Sequence, residues 1–143
     1  MQASSNRPGL RIRVGVDVVG IDRVGRLVDE NAGLLDEVFS AREQAYCLAK
    51  RATRNRHLAG RFAAKEAVLK AFGTGLATRM RWTDVEILNE RSGRPKVELH
   101  GEVAAFADRG GLSDLDVSVS HSDGIAVSHA VAVWMDGDAL PPD

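Results

Sequence analysis

The fold is decided by one stretch of the sequence, RFAAKEAVLKAFGTG at residues 61–75. Apolar side chains such as Phe62 and Leu69 recur there at helical spacing, and the alanines between them allow close packing against other elements. Gly73 follows the last apolar residue, a position where glycine commonly ends a helix. The stretch therefore predicts a long, largely buried helix over residues 55–72.

Strands are predicted on both sides of this helix. Apolar residues alternate with polar or small ones, the pattern of a strand with one buried face, over residues 12–18, 85–87, 97–99, 115–119 and 125–133. Turn-forming residues, Ser92–Pro95 and Asp123-Gly124, separate neighbouring strands and predict hairpins. The sheet is therefore expected to be mainly antiparallel.

Shorter helices complete the predicted fold. Helical spacing covers residues 22–30 and 102–108, and Ser40 with Glu43 forms a capping-box pattern that opens another helix. We predict an α+β fold in which a mainly antiparallel sheet packs against the long central helix and the shorter helices. The predicted single domain spans residues 10–135, with flexible termini at 1–9 and 136–143.

Composition excludes several classes of protein. The chain has 143 residues and a net charge of −1, so nothing in its overall charge points to nucleic acid or to a membrane surface. Its single cysteine, Cys47, has no internal disulfide partner, and no apolar run approaches the roughly 20 residues of a membrane span. We expect one globular domain in the reducing cytoplasm.

One acidic residue interrupts the first predicted strand. Asp17 lies among valines and points away from their face. A single aspartate in such a strand is most often a solvent-facing residue, so it is weak evidence for a site when considered alone.

The central helix carries the second polar group. Glu66 and Lys70 are one turn apart and could simply form a stabilising ion pair. Arg61 and Lys65 add positive charge around the same acid, and Gly73-Thr74-Gly75 follows the helix, where backbone amides can approach a ligand closely. In a P-loop the glycines precede the helix instead. We therefore expect phosphates to be bound here by side chains.

The third polar group ends a predicted strand, in DVSVSHS at residues 116–122. A serine hydrolase is disfavoured because no G-x-S-x-G is present and residues this close on an extended strand would not adopt the geometry of a triad. His129 shares parity with its apolar neighbours and is expected in the core. Because grouped histidines and cysteines are missing, a bound metal should be a hard ion such as Mg²⁺ held by carboxylates.

Taken together, the motifs resemble those of a known family. VGVD at residues 14–17 with Arg23, GRFAAKEA through Lys70 to Gly75, and VSVSHS at residues 117–122 are similar to the small, single-domain holo-(acyl-carrier-protein) synthases. These enzymes belong to the 4′-phosphopantetheinyl transferase superfamily. The resemblance covers nearly all of residues 12–134, and its central run is the most specific part.

The resemblance implies an activity. Family members transfer the 4′-phosphopantetheine arm of coenzyme A to a serine of an apo acyl carrier protein and release adenosine 3′,5′-bisphosphate. It implies that Asp17 and Glu66 bind Mg²⁺, that both act in catalysis with Lys70, and that Glu66 accepts the serine proton directly or through a water.

The resemblance also implies ligand and partner contacts. The residues expected to bind coenzyme A are Arg61, Lys65, Lys70, Gly73, Thr74, Gly75, His121 and Ser122. The basic run at residues 50–56 is an expected partner of the ribose 3′-phosphate. Arg23 and Arg26 are expected to contact a carrier protein of fatty acid or polyketide synthesis. Family members assemble as homotrimers with sites between subunits.

Two other functions remain as alternatives. A non-catalytic coenzyme A or nucleotide-binding module would keep the same phosphate contacts, although the intact Asp17, Glu66 and Lys70 favour an enzyme. A structural or nucleic-acid-binding protein would use the basic run at residues 50–56, but the net charge of −1 and the few aromatic residues disfavour it.

Overall fold

A computed structural model describes residues 9–135. The helices are α1 (Ile21–Glu30), α2 (Leu34–Val38), α3 (Ala41–Leu48), α4 (Arg54–Phe72) and α5 (Gly101–Gly110). The strands are β1 (Leu10–Gly20), β2 (Val85–Asn89), β3 (Pro95–Leu99), β4 (Leu112–Ser122) and β5 (Ile125–Met135). The predicted elements are present, with β1, β4 and β5 longer than their sequence patterns indicated. The expectation of flexible termini concerns residues that, apart from Gly9, lie outside the described part of the chain.

The strands form two antiparallel sheets. One has the order β1-β5-β4, so that β5, the last of the described strands, lies in the centre, and the other is the β2–β3 hairpin. With the long helix α4 packed across the three-stranded sheet, this is the predicted α+β fold.

Helix α4 approaches the sheet most closely at Gly15 of β1. A Cβ atom built on Gly15 would lie 2.0 Å from the carbonyl oxygen of Ala67 and 2.8 Å from the backbone nitrogen of Ala71. Only a residue without a side chain allows the backbones of β1 and α4 to come this near. Asp17 shares the face of Gly15, since alternate residues of a strand point to the same side, and it therefore faces α4 as well.

The core lies on the α4 side of the sheet. Its buried members include Phe72 of α4, Val103 of α5 and Trp134 of β5. A second cluster, with Leu58 and Phe39, joins the start of α4 to α1, α2 and α3.

The inner and outer faces of β1 are the reverse of those predicted. Ile12, Val14, Val16 and Val18 were expected to form the buried face, but they are 58%, 68%, 45% and 57% exposed. Close packing of α4 on Gly15 makes the other face the inner one. His129 was predicted in the core and is also exposed, because it lies opposite Val16 on this outer face.

Candidate active site

Three of the predicted site residues meet where β1 and α4 touch. Lys70 Nζ donates to Asp17 Oδ1 at 3.1 Å and to the carbonyl oxygen of Val16 at 3.0 Å. Glu66 lies one turn before Lys70 on α4 and is half-buried. The Lys70 side chain is about half exposed, so the junction is open to solvent on that side. The close approach at Gly15 brings these three side chains together.

The junction carries unbalanced negative charge. Burial raises the pKa of Glu66, and the nearby charge of Asp17 raises it further, whereas Lys70 lowers it. One lysine therefore faces two carboxylates that repel each other, an arrangement that a bound cation would relieve. Two carboxylates from different elements, with an open side for water and a phosphate oxygen, fit the donor set that Mg²⁺ prefers.

Lys65 does not belong to this junction, contrary to the prediction that it binds coenzyme A. Its side chain is completely buried, and Nζ donates to Glu43 Oε1 at 2.9 Å and to the carbonyl oxygens of Trp82 and Val85. Neighbouring residues of a helix point about 100° apart, so Lys65 cannot share the direction of Glu66. With no exposed surface it has no access to a ligand.

Arg61 lies on the Lys65 side of α4 and lines a separate cavity of about 220 Å³. Its guanidinium lies 4.3 Å from the ring centroid of Tyr46 and donates to Asn89 Oδ1. Arg61 is only 7% exposed, and its Nε has no hydrogen-bond partner in the part of the chain that the structure describes. The Arg61 guanidinium is a cation in the wall of this cavity, which favours an anionic ligand there.

His121 lines the same cavity from the end of β4. Its Nε2 lies 3.1 Å from the carbonyl oxygen of Arg56, which makes that nitrogen the donor. Burial lowers the pKa of His121, although the hydrogen bond to Arg56 opposes the shift. Gly60 accommodates the ring, since a Cβ there would lie 2.9 Å from Nε2.

The cavity and the acidic junction are different places on one chain. Asp17 is on one edge strand and His121 on the other, with β5 between them. Strands are spaced by about 4.8 Å, so the two backbones are roughly 10 Å apart across the sheet. Helix α4 packs on the same face, and neither Asp17 nor Glu66 lines the cavity.

Comparison with known proteins identifies the family. The family model described as the 4′-phosphopantetheinyl transferase superfamily matches residues 13–130. The chain belongs to this superfamily. A holo-(acyl-carrier-protein) synthase of Geobacter sulfurreducens is 45% identical over 118 residues, which are 82% of this chain and 93% of the relative. One of Alkaliphilus oremlandii is 39% identical over 120 residues, 84% of this chain and 97% of the relative.

A solved structure agrees with these relatives. The complex of a Chronobacterium ammoniagenes synthase with coenzyme A has a TM-score of 0.78 and 29% sequence identity, and the match covers 88% of this chain and 99% of that one. The predicted fold, family and enzyme class are confirmed: the protein is an enzyme of the holo-(acyl-carrier-protein) synthase type. Within residues 9–135, no helix has both the length and the hydropathy needed to cross a bilayer.

The enzyme places the other predicted site residues on its surface. Gly73 ends α4 in the left-handed conformation, with φ at 77°, and Thr74 and Gly75 follow at the same end of the helix as Lys70. Ser122 is exposed at the end of β4, next to the cavity residue His121. The two arginines expected to contact a carrier protein, Arg23 and Arg26, are exposed on α1.

Two features of the enzyme were missed from its sequence. An apolar groove of about 180 Å³ lies beside Arg23, lined by Leu27 and Val28 of α1, Leu34 of α2 and Phe62 of α4, among others. The available signal in the sequence was the apolar pair Leu27 and Val28, which directly follows Arg26. Nothing in the sequence indicated that Tyr46 and Asn89 line the cavity, because they belong to segments far apart in the chain.

A second acidic cluster in the enzyme does not fit the predicted Mg²⁺. Glu86, Glu98 and His100 present ligand atoms within 4.8 Å of one another. Arg42 already occupies the centre, since its Nη2 lies 2.6 Å from Glu86 Oε1 and 3.0 Å from Glu98 Oε1. Ser40 and His100 hold the remaining positions on Glu86. The cluster is a closed ion network in which a guanidinium serves as the cation.

Proposed function

We propose that the enzyme transfers 4′-phosphopantetheine from coenzyme A to a serine hydroxyl of an apo acyl carrier protein, with Mg²⁺, and releases adenosine 3′,5′-bisphosphate. The observation that supports this most is the junction of Asp17, Glu66 and Lys70 at the contact of β1 with α4. Asp17 and Glu66 would hold the metal. When bound, Mg²⁺ supplies positive charge that polarises the pyrophosphate and offsets the charge of the transition state.

The residues of the junction divide the remaining work. A bond forms between the serine oxygen and the phosphorus that carries the pantetheine arm, and the bond from that phosphorus to the oxygen of the adenosine phosphate breaks. Glu66 accepts the serine proton, directly or through a water. Lys70, held near Asp17 but half exposed, donates to the departing phosphate and stabilises its charge.

The cavity of Arg61 and His121 is the proposed site for the nucleotide half of coenzyme A. The Arg61 guanidinium in the cavity wall favours a phosphate, and the exposed Ser122 extends the polar edge. The coenzyme A complex of the Chronobacterium ammoniagenes synthase supports a ligand of this kind. Gly73, Thr74 and Gly75 would contact the ligand near Lys70.

The basic surface before α4 is a candidate for the 3′-phosphate of coenzyme A. Arg51, Arg54 and Arg56 line a shallow depression of about 450 Å³ at the N-terminal end of the helix. Both the arginines and the positive end of the helix dipole favour an anion there.

Because the two halves of the site are separate within one chain, we propose that active sites form between subunits of a homotrimer. The acidic junction of one subunit would face the Arg61 cavity of its neighbour. The exposed apolar face of β1, which continues on β5 through Val131, supplies a surface of the kind that subunits bury.

Helix α1 is the proposed docking surface for the carrier. Arg23 and Arg26 offer positive charge to an acidic carrier protein of fatty acid or polyketide synthesis, and the groove at Leu27 offers an apolar contact beside them. We propose a cytoplasmic enzyme that acts on neither nucleic acid nor membrane, in keeping with the balanced charge.

Intact-mass analysis of an apo acyl carrier protein, incubated with the enzyme, coenzyme A and Mg²⁺, tests the function. We expect a gain of one phosphopantetheine that is lost with EDTA. If several carriers gain no mass while the protein binds coenzyme A, the protein is a non-catalytic binding module.

A further inference from the structure

Two fully buried charges, those of Lys65 and Glu43, lie next to the acidic junction. Lys65 and Glu43 have no exposed side-chain surface. The ammonium of Lys65 has three acceptors, Glu43 Oε1 and the carbonyl oxygens of Trp82 and Val85. Glu43 in turn accepts from the backbone N–H of Ser40 and of Ile87, both at 2.8 Å. The pair therefore joins α3, α4 and β2 in one network whose charged groups are satisfied.

The net stability that a buried ion pair contributes does not explain why a protein has one. Removing two charges from water costs as much as their attraction returns, and uncharged replacements of similar shape often keep a fold intact. A hydrogen-bonded ion pair has fixed partners, however, whereas apolar or neutral side chains tolerate small rotations. The pair thus specifies one orientation of α4.

That orientation matters because of what lies next to Lys65. Glu66 is the adjacent residue, and Ala67 meets Gly15 of β1 on the opposite side of the helix. Helix α4 is thus held on one side by the ion pair of Lys65 and on the opposite side by the backbone contact of Ala67 with Gly15. A small rotation of α4 would change the separation of the Glu66 and Asp17 carboxylates, which lie on different elements.

We propose that Lys65 and Glu43 are positioning residues for the catalytic junction: their ion pair sets the rotation of α4 at which Glu66 and Asp17 can bind one divalent ion together. The inference rests on the proposed function, since it takes that junction as the metal site. Lys65 contacts neither metal nor substrate, and it acts through Glu66.

The test compares metal binding with folding in the double variant Glu43→Gln/Lys65→Gln, which removes both charges and keeps hydrogen-bonding groups. Mn²⁺ serves as a spectroscopic substitute for Mg²⁺, and its affinity is measured by electron paramagnetic resonance in the full chain. We expect Mn²⁺ affinity to fall about tenfold and kcat to fall about 10- to 100-fold, the range found when residues supporting metal ligands are changed. The KM for coenzyme A should change less than kcat, because Arg61 and Ile87 still line the cavity in the variant.

Two further variants separate the possible causes. Val103→Ala opens the core on the α5 side, away from the junction, and should lower stability without changing Mn²⁺ affinity. If the double variant does not fold, Glu43→Asp decides, since it keeps the charge but shortens the reach to Lys65; we expect the same loss of metal affinity.

Normal Mn²⁺ affinity and kcat in the folded double variant, or in Glu43→Asp if that variant must be used, would overturn the positioning role. Equal losses of Mn²⁺ affinity in Val103→Ala would also overturn it, because the effect would then follow stability alone. Glu66→Gln identifies a failure of the premise: if it binds Mn²⁺ like the wild type, the junction is not the metal site, and the proposed function must be revised together with this inference.

Discussion

At the scale of single residues, Glu66 carries its charge in an environment that disfavours it. Its carboxylate is half-buried and close to that of Asp17, and a single lysine, Lys70, offsets the two charges. A protein that kept these groups only for stability would gain from a neutral residue at one of the positions. A bound cation and a phosphate would offset the repulsion between the two carboxylates.

Replacing Glu66 by glutamine should nearly abolish transfer without unfolding the protein. The variant loses a proposed metal ligand and the proposed base, so we expect kcat to fall by about 10²- to 10⁴-fold, the usual contribution of a positioned acid or base. The rate at which an apo carrier gains phosphopantetheine, followed by intact-mass analysis, measures the loss. Circular dichroism checks the fold. Glu90→Gln, at an exposed glutamate in the β2–β3 turn, is the matched control. Wild-type rates in Glu66→Gln would disprove the assignment.

The stability of the fold at low pH depends in part on the buried carboxylate of Glu86. Burial opposes its charge, but hydrogen bonds from Arg42, Ser40 and His100 outweigh burial and lower the pKa of Glu86 from 4.5 to about 2. The unfolded chain takes up this proton first as pH falls. The stabilisation is thus fully present above about pH 4.5 and is lost between about pH 4.5 and pH 2.

The variant Glu86→Gln should therefore be less stable than the wild type at pH 7 but less sensitive to acid. Between about pH 4.5 and pH 2, its free energy of unfolding should fall less steeply, by up to about 1.4 kcal/mol per pH unit for one proton. Urea unfolding at several pH values measures both slopes. Parallel curves for the two proteins would show that the network of Glu86 does not govern acid stability.

At the scale of elements, the contact between β1 and α4 builds the acidic junction. Gly15 permits the contact, and Asp17 shares its face. Gly20, at the end of the same strand, has ordinary space, since a Cβ there would meet Arg23 Cβ at 3.5 Å. The two glycines thus provide a matched pair for testing how close the elements must be.

Gly15→Ala should destabilise the enzyme, whereas Gly20→Ala should not. A methyl group at Gly15 would lie 2.0 Å from the oxygen of Ala67, and backbone atoms can yield only if α4 moves. We expect a loss of about 1–3 kcal/mol, as for other overpacked sites, together with weaker transfer because α4 carries Glu66 and Lys70. Urea unfolding and the carrier assay measure the two effects. Equal stability of the two variants would contradict the close contact.

The features that could be predicted from the sequence are those that depend on residues close together in the chain. The bounds of α4, its end at Gly73 and the capping box of Ser40 with Glu43 follow from neighbouring residues, and the structure confirms them. The burial of Lys65 could not be predicted in this way, because its partner Glu43 lies 22 residues away and lysine is rarely buried without one. The motif had grouped Arg61, Lys65 and Lys70 around one acid, but helical geometry sends Arg61 and Lys65 to a different face.

At the scale of the whole molecule, the outer face of β1 is the feature that a single chain does not explain. Alternation in sequence shows that a strand has two different faces but not which of them is inside. Here the apolar face, with Val14 and Val16, is turned outward because α4 needs Gly15 beneath it. An apolar face of this kind supports the proposed contact between subunits. Assembly would cover it and would bring the separate halves of the site together.

Mixing two inactive variants tests whether the active site is shared between subunits. Lys70→Ala disables the acidic junction, and His121→Ala disables the cavity, so each variant alone should be nearly inactive. After the two are unfolded together in equal amounts and refolded, random assembly should restore about a quarter of the wild-type activity, since one site in four combines an intact junction with an intact cavity from its neighbour. Refolded mixtures of either variant with itself control for the procedure. If both halves of the site came from the same chain, the mixture would stay as inactive as its parents, and the proposed arrangement between subunits would have to be abandoned.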